Sequence, residues 1–327
     1  MMKIFDNILL VSPQTKSSLT LYEDYLISEK GERYPVLNNI PRFVPIENYA
    51  SSFGLQWNTY RETQLDSHTG LPLSKTRLTR ITGGSLDIFK GKTVLEPGCG
   101  AGRFTEVMLQ AGARVFSADI SSAVEANYKN CHAYPDYFIC QADIMELPIL
   151  PEQFDIVVCM GVIQHTPDPE ETMRVLCSHV KPGGMLFLDH YTHGYATTPV
   201  RRWLRSYLQK KPKEFSMEFV QILCRTLWPW HKLLFQMKRV PVLRRFRPIL
   251  LFWSPLVDYH DAYPALDKNL LFEWAVLDTH DTLTDFYKHF RSAKEISHHL
   301  EACGMTGIAA VYAGNGVEVS ARKPLVK

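Results

Sequence analysis

No run of eighteen or more apolar residues occurs in this chain of 327 residues, which argues against a membrane-spanning helix. The N-terminal stretch MMKIFDNILLVSPQ has too short an apolar core, and no small-residue cleavage signal, for a secretory leader; the expected location is the cytoplasm. Cysteine is sparse and unpatterned. Its seven positions, Cys99, Cys131, Cys140, Cys159, Cys177, Cys224 and Cys303, are odd in number and never spaced C-x-x-C. Neither a disulfide framework nor a zinc knuckle fits that pattern, and no metal site is expected. Excess charge is also lacking: the formal net charge is +2, so nothing global points to nucleic acid. No internal repeat or low-complexity tract is visible.

What is present is 46% hydrophobic content in a length that suits one large domain with insertions or two ordinary ones. Four textures divide it. Residues 1–48 are short β-like runs ending in YPVLNNIPRFVP, where three prolines forbid helix. Residues 49–91 form a polar and aromatic linker. Residues 92–194 and 281–327 alternate apolar runs of strand length with helical segments, the pattern of a mostly parallel sheet covered by helices. Strands are expected at 92–97, 113–119, 137–142, 154–163 and 184–190, with Ser121 or Ser122 capping the second helix and PDPEETMRVLCSHV forming the fourth. Near the C-terminus, Ser292 and Glu295 make a capping box, Gly304 ends the helix, and TGIAAVYA and GVEVSAR form two strands joined at GNG. The expected fold is α/β, a Rossmann-like seven-stranded mostly parallel sheet with a helical insertion and a small N-terminal β extension.

The insertion, 195–280, holds the charge that the whole chain lacks. Between Arg201 and Arg247 stand thirteen Lys or Arg against two Glu, a balance of +11 that leaves −9 elsewhere.

TVLEPGCGAGRF, residues 93–104, raises the question of a cofactor. A dinucleotide turn is G-x-G-x-x-G, but here Arg103 and Phe104 stand where its third glycine would fall, and no Gly-Lys-Ser or Gly-Lys-Thr follows to make a phosphate loop. Glu96 at the strand end would repel a pyrophosphate and attract an ammonium. S-adenosylmethionine carries an ammonium, a sulfonium and no phosphate, and fits better. Asp119, seventeen residues after Gly102, ends the second strand where a carboxylate can accept ribose hydroxyls. Asp143, after the third strand, is placed for the adenine amine, with Ile144 against the ring.

The series VLEPGCGAGRF, ADIS, QADIMELP, FDIVVCMGVIQHTPDP and VKPGGMLFLDHY resembles the motifs of class I S-adenosylmethionine-dependent methyltransferases over residues 92–191. The resemblance implies cofactor contacts at Glu96, Gly98, Cys99, Gly100, Gly102, Asp119, Ile120, Asp143 and Ile144. It also implies a segment at Met160, Gly161, Gln164 and His165 near the transferred methyl.

Methyl transfer requires mainly orientation, with a base only where the acceptor is protonated at neutral pH. His165 is the first choice as base or orienting group, because histidine titrates near working pH. Among Asp189, His190, Tyr191 and His193 after the fifth strand, Tyr191 is the expected acceptor contact. LDTHDTLTDFYKHFRSAKEI resembles the stretch that closes the acceptor pocket in bacterial enzymes acting on secondary metabolites or glycan precursors, which adds His280, Asp281, Tyr287 and His289.

The leader resembles a zinc-ribbon extension whose cysteine pairs are replaced, the first by Ser12 and Thr15 and the second around Ser28 to Lys30; the expectation is a metal-free remnant packed on Tyr34, Val36, Ile40 and Phe43. FGLQWNTYRETQLD resembles a helix over the cofactor, with Trp57, Tyr60, Arg61 and Gln64 as caps. The basic and aromatic stretch 200–257 suits either an acceptor lid or peripheral contact with anionic membrane; nucleic acid is not favoured, because the aromatics sit among aliphatics. The function expected is methyl transfer from S-adenosylmethionine to oxygen of a small or amphiphilic acceptor. The alternatives are transfer to carbon or nitrogen of a lipid-like or glycan-precursor acceptor, and a cofactor-binding but non-catalytic scaffold. Nothing in the sequence sets an oligomeric state.

Overall fold

The apolar runs that alternate with helical segments after Lys92 build one seven-stranded sheet in the computed structural model, which describes residues 3–5, 8–193, 198–314 and 316–325. The chain begins with β1 (Lys3–Phe5) and β2 (Ile8–Leu9), an antiparallel pair, and a small antiparallel sheet of β3 (Leu19–Tyr22), β4 (Tyr25–Ser28), β5 (Arg33–Leu37) and β6 (Ile40–Pro41). Helices α1 (Ser51–Thr59), α2 (Asp66–Thr69) and α3 (Leu73–Ile81) lead into the alternating region. There follow β7 (Thr93–Pro97), α4 (Arg103–Gln110), β8 (Arg114–Asp119), α5 (Ala123–Cys131), β9 (Tyr137–Gln141), β10 (Phe154–Cys159), α6 (Pro169–His179) and β11 (Val180–Tyr191). The insertion contributes α7 (Pro199–Leu208), α8 (Lys213–Gln236), α9 (Pro241–Phe252) and α10 (Lys268–Thr284). The chain closes with α11 (Ala293–Ala302), β12 (Thr306–Ala313) and β13 (Gly316–Arg322).

Strand order is β12-β13-β11-β10-β7-β8-β9, parallel except where β13 runs against both β11 and β12. The fold is therefore the α/β, Rossmann-like sheet expected. All five residues of β7 are buried, as a central strand covered on both faces must be. One apolar cluster, built on Leu95, Phe116, Phe154, Val157 and Leu186, fills one side of the sheet. A second, built on Phe89, Val94, Phe104, Met108 and Phe187, fills the other. Because β10 and β8 leave β7 in opposite directions, the carboxyl ends of β7 and β10 bound a crevice, the usual ligand site of such sheets.

Local signals placed the ends well. Ser292 and Glu295 make the capping box of α11, Asp168 accepts from the Glu171 amide at the start of α6, and Gly304 takes a positive φ of 80°. Asn315, the centre of the GNG turn, lies outside the described residues, as do residues 194–197 at the start of the insertion. Ser122 occupies the cap position of α5 without a side-chain bond, while Ser121 Oγ accepts from the Ala123 amide at 3.2 Å.

Three boundaries differ from expectation. The fourth strand stops at Cys159 rather than 163, because Gly161, at φ +76°, turns the chain out of the sheet. The fifth begins at Val180, four residues early. Residue 280, expected to end the insertion, falls inside α10, a continuous helix of seventeen residues, so the stretch that begins at Leu277 is helical as far as Thr284.

In the leader, hydroxyl side chains bond locally. Ser12 Oγ lies 3.0 Å from Tyr34 Oη, and Thr15 Oγ1 donates to Glu32 at 2.8 Å. Ser28 Oγ accepts from the amides of Lys30 and Glu32. Tyr34 packs on Phe43, and Ile40 is buried with Cys99, Val124 and Ile139. Arg42 fastens this unit to the edge strand, pairing with Glu125 and bonding Gln141 at 3.2 Å.

The insertion has its own core of Leu204, Val220, Cys224, Trp228, Leu271 and Trp274, against which Tyr60, Leu71 and Leu73 pack. Among the described residues no helix is long and apolar enough to cross a membrane.

Candidate active site

A cavity of about 400 Å³ opens at the crevice and is roofed by α1, α3 and the insertion. Its sheet side is made by the loop after β7. Gly98 and Gly100 take positive φ of 74° and 50°, which only glycine adopts without strain. A Cβ on Gly98 would stand 2.3 Å from Val162, and one on Gly100 would stand 3.3 Å from the Trp57 indole. The loop is therefore a bare backbone cradle with Trp57 across it. Two acids complete this half. Asp119 accepts from the amides of Gly100 (3.0 Å) and Ser121 (2.8 Å) and from the Ser121 hydroxyl (2.7 Å), and still lines the cavity. Burial pushes its carboxyl up, and those hydrogen bonds pull part of the way back. Asp143 accepts from the Met145 amide at 2.9 Å and lines the cavity beside Ile144.

His165, in the turn after β10, also lines the cavity. Its Nδ1 lies 3.1 Å from the Tyr287 carbonyl and 3.4 Å from an Asp285 carboxylate oxygen, which leaves Nε2 as the basic atom of the ring. Phe53 and Tyr191 meet the imidazole edge-on at 5.3 and 5.4 Å between centroids. Burial alone would depress this imidazole, but the Asp285 hydrogen bond and the charges of Asp281 and Asp285 outweigh it, and its pKa sits above the usual histidine value. Asp285 is held below the usual carboxylate range despite burial by His165, Lys288 and Arg205. Arg205 Nε bonds it at 2.6 Å and Lys288 Nζ lies 3.1 Å away. His165, Asp281 and Asp285 bring ligand atoms within 4.8 Å of one another, but the two cations already offset the charge a divalent ion would require.

The remaining wall is polar. Arg103, half-buried, donates to Gln64 at 2.5 Å and to Ser74 at 3.1 Å and lies over the rings of Phe104 and Trp274. Burial lowers its pKa. Asp278 accepts from Tyr259 Oη, from Trp274 Nε1 at 3.2 Å and from Gln64 at 3.3 Å, and burial raises its carboxyl to about 6.

Of the residues expected to hold the cofactor, Gly98, Cys99, Gly100, Asp119, Ile120, Asp143, Ile144, Met160, Gly161 and His165 line the cavity, as do Tyr191 and Asp281. Glu96, Gly102, Gln164 and His280 do not. Glu96 lies beneath the loop, 2.5 Å from Thr105 Oγ1 and 3.2 Å from Ser117 Oγ. Burial pushes its carboxyl up to about 8, and its side chain bonds these two hydroxyls beneath the loop, outside the cavity lining where an ammonium partner was expected. Gly102, at φ +95°, lets α4 approach α5: a Cβ there would meet Asn127 and Cys131 at 3.1 Å. Gln164 accepts the His289 amide on its main-chain carbonyl. His280 sits behind Gln56, 2.8 Å from its Oε1, and burial lowers its pKa to about 4.

Trp57, Arg61 and Gln64 reach the cavity from the linker, whereas Tyr60 turns to Gln221. Asp189 accepts from the Gly161 amide and pairs with Arg77. His190 is buried against the Tyr191 carbonyl, and His193 is exposed near Glu295. Tyr287 packs on Tyr49 and His289. Tyr49, Phe53, Arg77, Asp278 and Asp285 were not singled out from sequence. The three acids of α10 and its end, Asp278, Asp281 and Asp285, follow an i, i+3, i+7 spacing that a helical reading of that stretch would have exposed.

The sheet, the glycine cradle and the acid at the end of β8 define a class I methyltransferase domain, whose cofactor is S-adenosylmethionine. Residues 95–188 match the family model described as Methyltransferase domain. Similar proteins include Ubiquinone biosynthesis O-methyltransferases of Pseudomonas paraeruginosa, 39% identical over 103 residues, and Stutzerimonas stutzeri, 37% identical over 104. Each alignment covers 30% of this chain and 44% of the relative, so the chain spans less than half the length of the curated relatives it matches. Among solved structures, a SAM-dependent methyltransferase of Methanosarcina mazei is similar at a TM-score of 0.40 and 15% identity, covering 72% of this chain and 94% of that one.

Proposed function

We propose that this protein transfers the methyl group of S-adenosylmethionine to an oxygen nucleophile of a small or amphiphilic acceptor, with His165 as general base. When bound, the cofactor supplies a sulfonium-activated methyl group. Gly98, Cys99 and Gly100 cradle it with backbone, Asp119 and Asp143 offer carboxylates to its hydroxyls and amine, and Ile120 and Ile144 cover it with apolar surface. The residues present fit such a ligand: backbone laid open by two glycines, two cavity-lining acids and no basic phosphate loop.

The observation that carries the base assignment is the orientation of His165. Its Nδ1 side is fixed by the Tyr287 carbonyl and Asp285, so Nε2 takes a proton and the neighbouring carboxylates stabilise the imidazolium that results. Asp281 and Tyr191 stand beside it to orient the acceptor, and the insertion closes the cavity against water. Oxygen is favoured over carbon because a base beside the cavity is of use to a protonated hydroxyl. The relatives named for O-methyl transfer in ubiquinone biosynthesis support the same reading through the cofactor half.

Turnover tests this. Incubation with methyl-labelled S-adenosylmethionine and a panel of phenolic and amphiphilic hydroxyl compounds is expected to give a methyl ether, and His165→Gln to lower kcat by about 10²–10⁴-fold while S-adenosylhomocysteine still binds. An unchanged kcat in that variant would remove the base.

A further inference from the structure

Helix α9 is built inside out. Val242, Phe246, Ile249 and Trp253 recur at i, i+4, i+7 and i+11, the spacing of a core-facing stripe, yet they are 65%, 54%, 58% and 60% exposed. None of the described residues of α9 is buried. Arg245 flanks the stripe and Arg244 follows it round the helix; both are exposed and neither forms an ion pair among the described residues. They belong to the segment of thirteen cations and two acids between Arg201 and Arg247. An outward apolar stripe beside unpaired arginines is the pattern of a helix lying in a lipid interface, where the rings and aliphatics enter the acyl boundary and the guanidiniums meet anionic headgroups. A second copy of this chain is a poorer occupant, because it would set one positive face against another.

We propose that α9 docks this protein on anionic lipid bilayers through Val242, Phe246, Ile249 and Trp253. The helix is fixed to the cavity wall. Past its end, Ser254 is held by His231 Nε2 at 2.8 Å, Arg201 donates to the carbonyls of Pro255 and Leu256 at 3.0 and 2.7 Å, and Val257 and Tyr259 line the cavity. Docking therefore brings the acceptor side of the cavity to the membrane surface, where an amphiphilic acceptor would be drawn from the bilayer. That purpose rests on the methyl-transfer reading; the docking does not, and it is measured without turnover.

The test is flotation of the full-length protein with phosphatidylcholine vesicles, with and without phosphatidylglycerol. The wild type is expected to float with the anionic vesicles and to stay behind with phosphatidylcholine alone. Phe246→Asp/Ile249→Asp is expected to lower the floated fraction at least about tenfold, since it places two charges in the acyl boundary. Arg244→Glu/Arg245→Glu is expected to weaken flotation as well, and Asp119→Ala to leave it unchanged. These exposed positions leave the melting temperature as a control for folding. Absence of flotation, flotation indifferent to both surface variants, or a wild-type dimer that the Phe246→Asp/Ile249→Asp variant converts to monomer would overturn the proposal.

Discussion

His165 depends on a residue 120 positions away. Asp285 meets its Nδ1 side, and that hydrogen bond, with the charges of Asp281 and Asp285, lifts the imidazole above its ordinary value against the opposing effect of burial. As the proposed base, His165 would work deprotonated, so methyl transfer should fall as pH drops through that raised pKa, with an acid limb above the usual 6.5 or so of histidine. Asp285→Asn removes the carboxylate that raises it and should move the acid limb to lower pH; a pH profile of kcat that does not shift would sever the coupling. Glu96 makes a second prediction at this scale. As a buried brace on Thr105 and Ser117, with its carboxyl pushed up by burial, it should tolerate Glu96→Gln with cofactor affinity near wild type. Glu96→Ala leaves two hydroxyls without their partner and should cost about 1–3 kcal/mol of stability, read by urea denaturation. Loss of affinity in the Gln variant at unchanged stability would restore the charged role.

At the scale of elements, α10 is the piece that closes the site. Its helical period sets Asp278, Asp281 and Asp285 along one side, while Trp274 and Leu271 enter the core of the insertion. The sequence shows His280 and Asp281 side by side; the helix separates them, turning His280 to Gln56 and Asp281 to the cavity. A second brace holds α8 to the segment after α9. Asp258 bonds His231 Nδ1 at 2.8 Å and His260 Nδ1 at 2.5 Å, and His231 Nε2 reaches Ser254. Burial opposes the charge on Asp258, but the two histidines hold its carboxyl well below the ordinary value. The sign follows: a depressed carboxyl stabilises the fold above its unfolded pKa of about 4 and loses that contribution as pH falls below it. Asp258→Asn should therefore be less stable at neutral pH and flatten the acid side of the stability curve. A melting temperature unchanged at neutral pH would show that the brace carries no weight.

For the whole molecule, legibility followed the range of the interaction. Residues 92–191 were readable because the cavity-lining residues of the sheet sit at strand ends, and strand ends are marked locally by apolar runs, glycines and caps. The seven-stranded sheet, the antiparallel last strand and the α11 capping box came from such signals. The rest of the cavity was not readable, since Tyr49, Phe53, Arg77 and Asp278 approach it from α1, α3, α10 and the irregular segment before α1, and no local pattern records their meeting. Glu96 shows the converse: the motif placed it correctly in the chain, while the direction of its side chain, toward Thr105 rather than the cavity, was decided by packing.

The central claim is that the cradle at Gly98 and Gly100 together with Asp119 holds an adenosine-bearing sulfonium cofactor. Calorimetry with S-adenosylhomocysteine, on the full-length protein and on Asp119→Ala, tests it most directly. Micromolar binding to the wild type, no binding of NAD, and a loss of about 10–100-fold in the variant are expected, the last corresponding to charge-assisted hydrogen bonds of roughly 1.5–3 kcal/mol. Equal affinity in the two proteins, or binding of NAD in place of S-adenosylhomocysteine, would contradict it.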